Sequence, residues 1–311
     1  MRKAVQRLYD GFKIGNISMK KILVITTGGT IACEQGGHGL APAHDGNDLL
    51  EGISGCEIAI LDLFACDSTD ISPEHWRKIC GAVKSAKGYD GVVVLHGTDT
   101  LEYTAAMLYY TVSDMDIPVI ITGAMLPFSH ESGDGGRNIA DAVTLACDGR
   151  FKGAYVVFCG RIISGNDAIK RDSLEKDAFR SFSGEDCGKI SHGHIAVYKT
   201  AEKPKPMRLP EADKKITVIK LSPFTAEINV PYGYSGAVIE SFGAGGVPDR
   251  PELLQALREL CGRMPVIMTT ACAHGVNLTE YAVGQRALEC GIIDGDKMTT
   301  ACAAVRLWLE D

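Results

Sequence analysis

The sequence predicts an α/β protein with two parts: a larger N-terminal domain around a doubly wound, mainly parallel sheet, and a smaller C-terminal α/β domain. Three observations predict it. Short, continuously apolar runs recur, each ending at glycine or a polar loop and followed by helical apolar spacing. One stretch, 200–215 (TAEKPKPMRLPEADKK), interrupts the alternation with three prolines, many charges and little apolar surface. The length of 311 residues, 45% hydrophobic and 23% charged, suits two packed domains rather than one.

In order, KILVIT at 21–26 reads as a first strand ending at Gly28 and Gly29. GVVVL at 91–95 is a second, followed by a helix from Thr100 (TLEYTAAMLYYTV). PVIIT at 118–122 and AYVVF at 154–158 are a third and a fourth. Strand, loop and helix in repetition give a doubly wound sheet. Beyond 200–215, read as a linker, strands at 216–220, 236–241 and 265–269 surround a helix at 251–260, and helices near 278–290 and 298–309 close the chain. The division is therefore a possible N-terminal extension at 1–19, an N-terminal domain at 20–199, the linker, and a C-terminal domain at 216–311.

The net charge of −7 and pI near 5.7 argue against nucleic-acid or anionic-membrane partners, which call for a basic face. The eleven cysteines are odd in number, form no C-x-x-C pair, and several sit inside apolar runs (Cys33, Cys66, Cys147, Cys159, Cys290), so they read as reduced core residues. His192 and His194 have no neighbours that complete a zinc set. The first residues are polar and mixed, without the apolar stretch of a secretory signal, which makes the cytoplasm the expected location.

Ligands of open α/β sheets bind beyond the carboxyl ends of the strands, so the loops there are where chemistry is expected. In TTGGTIA, two glycines permit a sharp turn and Thr30 follows; a hydroxyl nucleophile beside backbone donors, or a plain βα turn, fits equally. In LHGTDTLE, Asp99 is either a helix N-cap paired with Glu102 or a carboxylate beside the Thr98 hydroxyl. Lys170 lies between Asp167 and Asp172; solvated it does nothing, and partly desolvated it could accept a proton from a threonine. Ser68 and Thr69 precede a helix starting near Pro73, where hydroxyls and N–H groups could hold a carboxylate.

Together these loops resemble the bacterial and archaeal L-asparaginase family, its cytoplasmic type I members in particular. The resemblance runs through TTGGTIA, HGTDTLEYTAAML, ITGAMLP, DGGRNIADAV and HGVNLTEYAVGQRALECGIIDGDKMT, nearly the whole chain. It implies an amidohydrolase that converts asparagine to aspartate and ammonia without metal or organic cofactor. Thr30 matches the attacking threonine; Thr98, Asp99 and Lys170 match the second threonine and its carboxylate and lysine partners. Ser68 and Thr69 match the grip on the substrate α-carboxylate, Asp99 that on the α-ammonium, and backbone around Gly29 and Gly97 completes the contacts. The family also implies a homodimer or homotetramer and, in some members, an effector site near Thr270, Cys272 and His274.

One departure stands out. Where the family has a tyrosine in a flexible loop, this chain has Leu40, within a glycine-rich stretch at 33–45 that could act as a lid. A leucine cannot relay a proton. The alternatives are a related amidase, such as a glutaminase or the ammonia-releasing subunit of a tRNA amidotransferase, and a non-catalytic amino-acid-binding protein. The amidotransferase subunit is expected to carry a further N-terminal domain that the short extension here does not supply.

Overall fold

In the first strand, β1 (Lys21–Gly28), every residue after the first is buried, because both faces of the sheet are covered. Side chains alternate between faces, and each central strand therefore divides its residues between two cores. Leu23 and Ile25 of β1, with Val92 and Val94 of the strand beside it, enter one core; Ile22, Val24, Val93 and Leu95 enter the other. A parallel strand covered on both faces must be apolar throughout, and this is why these runs were legible in the sequence. The structure, a computed structural model, describes residues 19–36, 39–42, 46–127 and 130–310, and leaves the side chains of 32–45 undescribed.

From the N-terminus, β1 is followed by a 3₁₀ turn at Thr30–Ala32, a hairpin of β2 (Cys33–Gly36) and β3 (Gly39–Pro42), and a short helix α1 (Gly46–Leu49). Next come β4 (Glu57–Cys66), α2 (Pro73–Lys84), β5 (Gly91–Leu95), α3 (Leu101–Thr111), β6 (Pro118–Thr122), α4 (Gly135–Ala146) and β7 (Gly153–Phe158). Short strands complete this part: β8 (Arg161–Ser164), β9 (Ala168–Lys170), β10 (Phe179–Ser181), β11 (Gly188–Ser191) and β12 (His194–Val197). The main sheet has eight strands in the order β12-β11-β8-β7-β6-β5-β1-β4. The five from β4 to β7 are parallel, and β8, β11 and β12 join antiparallel. The order β4-β1-β5 makes the carboxyl ends of β1 and β5 the point where the winding reverses, the usual ligand crevice of such sheets.

Residues 199–215 carry neither helix nor strand. They are strapped to the first part: the Met207 N–H donates to the Tyr110 carbonyl, and Arg77 bonds the Pro210 carbonyl and pairs with Asp213 at 2.7 Å. A four-stranded parallel sheet follows, β13 (Ile216–Lys220), β14 (Gly236–Ser241), β15 (Val266–Thr270) and β16 (Ile293–Asp294), with α5 (Pro251–Arg263), α6 (Ala282–Glu289) and α7 (Thr300–Leu309). Helix α7 (TACAAVRLWL) is apolar nearly all round and is buried accordingly. One face, with Ala303, Ala304 and Leu307, packs on the smaller sheet; the other places Cys302, Val305 and Trp308 in the core of the first part. The Trp308 ring meets Trp76 of α2 edge-on at 5.8 Å.

The fold is thus the α/β architecture expected, with two departures. Strand β4 lies where the sequence suggested only the loop after it, and the far end of the large sheet is antiparallel.

Candidate active site

The turn that ends β1 passes through two residues at positive φ, Gly28 (+90°) and Gly29 (+84°), a region where side chains are penalised. Space imposes a second demand. A Cβ on Gly28 would stand 2.5 Å from the Cys66 amide nitrogen, and one on Gly29 2.4 Å from the Gly97 Cα. The glycines therefore let the loop after β1 lie directly against those after β4 and β5. The Gly29 N–H donates to the Cys66 carbonyl at 3.0 Å, and Thr30, half-buried, opens the 3₁₀ turn.

The loop after β5 carries Thr98 and Asp99, and Ser68 fixes it. Buried Ser68 accepts the Asp99 N–H at 3.1 Å, and its carbonyl accepts the Thr100 hydroxyl at 2.6 Å. Helix α3 thus begins after Thr100, and Asp99 remains free of capping. Asp67 caps the 3₁₀ turn at Ser68–Asp70 by accepting both the N–H (2.8 Å) and the hydroxyl (2.7 Å) of Thr69. Those bonds hold the Asp67 carboxyl below its ordinary pKa. Thr69 is exposed, and its hydroxyl proton is engaged by Asp67. The Ser68 hydroxyl acts as the acceptor in its bond to Asp99, which leaves its own proton available to a partner.

Lys170 is the last residue of β9, paired with β10 in a two-stranded ribbon. Its Nζ lies 2.8 Å from the Thr98 hydroxyl and 2.6 Å from Asp99 Oδ1, with the lysine side chain 17% and the aspartate 55% exposed. Asp99 can therefore hold the lysine with one oxygen and still meet a ligand with the other. The acidic residues flanking Lys170 in sequence serve elsewhere: Asp167 accepts from Ser183, and Asp172 from the Leu174 and Glu175 N–H groups. Glu102 does not cap α3 either. It accepts the Lys170 backbone N–H at 2.8 Å, and burial pushes its carboxyl pKa up, a rise that this bond and the lysine charge partly offset.

His96, which opens HGTDTLEYTAAML but is given no role by it, is fully buried. Trp76 Nε1 donates to the Thr104 hydroxyl (3.1 Å), which lies 3.0 Å from His96 Nε2; His96 Nδ1 lies 2.7 Å from the Gly97 carbonyl. Since Thr104 receives the indole proton, its own goes to Nε2, leaving Nδ1 protonated and donating to Gly97. Burial lowers the imidazole pKa to about 4, so the ring is neutral and acts as a strut for the loop that carries Thr98. A second brace is Asn138 of α4, fully buried, which donates to the Gly123 carbonyl (3.0 Å) and accepts the Cys159 N–H (3.0 Å). A histidine directly after four apolar strand residues, VVVLHG, was the available signal of burial.

The structure therefore gathers Gly29, Thr30, Ser68, Thr69, Gly97, Thr98, Asp99 and Lys170 at the strand ends where the winding reverses. Thr270 ends β15 and, with Glu102, Lys170, Glu240 and Thr300, lines a polar cavity of about 140 Å³ between the two parts; exposed Cys272 is not on its wall. The Leu40 side chain, residues 37–38 and 43–45 of the stretch at 33–45, and residues 1–18 of the 1–19 extension lie outside the described residues.

Hydroxyls, a lysine and a carboxylate gathered at the switch point of a two-part α/β fold are the parts that hydrolysis through a hydroxyl nucleophile calls for. Residues 21–203 match the family model for asparaginase, N-terminal, and residues 219–309 that for the glutaminase/asparaginase C-terminal domain. The chain belongs to the asparaginase family. It is 38% identical to the L-asparaginase of Thermococcus kodakarensis over 303 residues, 92% of this chain and 91% of that one. The solved structure of the T. kodakarensis enzyme superposes with a TM-score of 0.82, covering 93% of this chain and 92% of the other at 35% identity. A probable cytoplasmic L-asparaginase from Campylobacter jejuni gives 0.79 at 27% identity, covering 93% and 94%. A subunit of the Glutamyl-tRNA(Gln) amidotransferase of Pyrococcus horikoshii is 31% identical over 328 residues, 96% of this chain and 74% of that protein.

Proposed function

We propose that this chain hydrolyses L-asparagine to L-aspartate and ammonia with Thr30 as nucleophile. The observation that carries the reading is the contact of Lys170 Nζ with both Thr98 and Asp99, beside a loop packed against the one that bears Thr30. A threonine hydroxyl is a weak nucleophile and needs a base. As the free amine, Lys170 takes a proton through the Thr98 hydroxyl while Thr30 attacks the amide carbon; as the ammonium, it is held by Asp99. The Gly29 N–H already serves the Cys66 carbonyl, so the oxyanion falls to the backbone of Thr98. Collapse expels ammonia with a proton returned from the relay, and water then hydrolyses the acyl-enzyme. Ser68, with Thr69 once it leaves Asp67, receives the α-carboxylate, and the outer oxygen of Asp99 receives the α-ammonium.

In this reading 20–199 is the catalytic unit and 216–311 its companion across the 200–215 segment. The protein works in the cytoplasm as a homodimer or homotetramer. Among the described residues no helix is long and apolar enough to cross a membrane. The likeness to an amidotransferase subunit supports a second reading, ammonia release for a tRNA-bound acceptor. Ammonia release by the purified chain from free L-asparagine, L-glutamine and other amides separates them. The asparaginase reading predicts turnover of L-asparagine alone in solution, faster than L-glutamine. Turnover only with an amidotransferase partner favours the second, and binding of asparagine without turnover of any amide defeats both.

A further inference from the structure

We infer that Glu102 is a positioning residue for the reaction, which holds Lys170 by its peptide N–H while Asp99 holds it by its ammonium. The inference rests on the proposed role of Lys170 as proton acceptor. Its geometric basis is that both carboxylates come from one short segment, the residues that lead into and begin α3, so a single piece of chain grips the lysine at both ends. The ribbon that carries Lys170 is anchored in the core by buried Ala168 and Phe179, and Glu102 adds a tie at the lysine itself. Among the described residues, strands β9 and β10 pair with each other in a short ladder (Lys170 opposite Phe179, Ile169 opposite Arg180, Ala168 opposite Ser181) outside the eight-stranded sheet. The Lys170 N–H points away from β10, and Glu102 is its acceptor.

The groups facing Glu102 are consistent with this use. Across the cavity, Glu240 of β14 is engaged by Lys220 at 2.7 Å and by the Thr300 hydroxyl at 3.0 Å, and Arg171 lines the same cavity. Tyr103, the next residue, feels the Glu102 charge as a minor contribution behind burial. Glu102 is thus left to the lysine strand. What matters at this position is an acceptor oxygen at the right reach, because removing it frees the ribbon to shift, and a displacement of about 1 Å can cost about 100-fold in rate.

Three variants separate reach from charge, with kcat and KM for L-asparagine as readouts and Lys170→Met as the benchmark. Glu102→Gln keeps an acceptor oxygen at the same reach and loses the charge. Glu102→Asp keeps the charge and withdraws it by one methylene; Glu102→Ala loses both. The clamp predicts that kcat falls about 10- to 100-fold in Asp and Ala with KM within about twofold, and that Gln rescues kcat to within about threefold of wild type. Wild-type kcat in Asp, or a loss in Gln as deep as in Ala, overturns it, and the Asp comparison stands even if Ala fails to fold. Full activity of Lys170→Met instead removes the relay itself, and with it anything for Glu102 to position.

Discussion

Replacing Gly29 by alanine introduces one methyl group where the structure has no room for it. The new Cβ would lie 2.4 Å from the Gly97 Cα and 2.5 Å from the Gly97 nitrogen, both backbone atoms that cannot rotate aside. Ordinary contact begins at 3.4 Å, so the loop bearing Thr30 and the loop bearing Thr98 must separate by 1.0 Å. A misplacement of about 1 Å is worth about 100-fold in rate, or about 2.7 kcal/mol of barrier. Holding alanine at positive φ costs a further ~1–2 kcal/mol, and overpacking ~1–3 kcal/mol, in stability. The assay is kcat for ammonia release from L-asparagine beside urea denaturation of the same preparation. Gly81→Ala, in the middle of α2, where an added methyl would meet no atom within 4 Å beyond its own helix, is the control. It gains about 0.5–1 kcal/mol from helix propensity and leaves kcat unchanged. A Gly29→Ala protein with kcat within twofold of wild type would refute the idea that contact between these loops sets the catalytic distance.

The buried His96 makes stability depend on pH. Its folded pKa of about 4 lies below the ordinary value of 6.5, so between those pH values the unfolded chain binds a proton that the folded one does not. Stability is therefore lost as pH falls, by about 2.4 kcal/mol from pH 7 to pH 4.5, and His96→Gln removes that part of the slope. Urea titrations at the two pH values measure it; identical slopes for wild type and variant would contradict the assignment. Asn138→Ala leaves the Gly123 carbonyl and the Cys159 N–H without their partner and is expected to cost about 3 kcal/mol by the same titration, a loss under 1 kcal/mol being the adverse result.

How much of this was legible in the sequence follows burial. Strands β5 and β6 are buried along their whole length and were read to the residue, since covered parallel strands are apolar throughout. Strand β4 escaped because it is an edge strand, half-exposed and interrupted by Asp62, which accepts from Thr26 rather than packing. The antiparallel strands are three to four residues long and too short to show a period. Within the site, hydroxyls after glycines were visible because the turn chemistry announces them. Partnerships across the fold were not. Lys170 stands between two aspartates in sequence but is held by Asp99 and Glu102, some seventy positions away, and only the packing of α3 on the ribbon reveals it. His96 was hidden for a related reason: its partner Thr104, and the Trp76 that donates to Thr104, come from two helices that converge only in the fold.

The most direct measurement is the steady-state kcat for L-asparagine of Thr30→Ala and Thr98→Val beside wild type, with folding checked by melting. Thr98→Val removes the relay hydroxyl at nearly constant volume, and Thr30→Ala removes the attacking one. Loss of positioned proton transfer is worth about 100- to 10,000-fold, so both variants are expected to fall at least that far while remaining folded. Wild-type turnover in either one would contradict a mechanism in which the two hydroxyls serve the same bound amide.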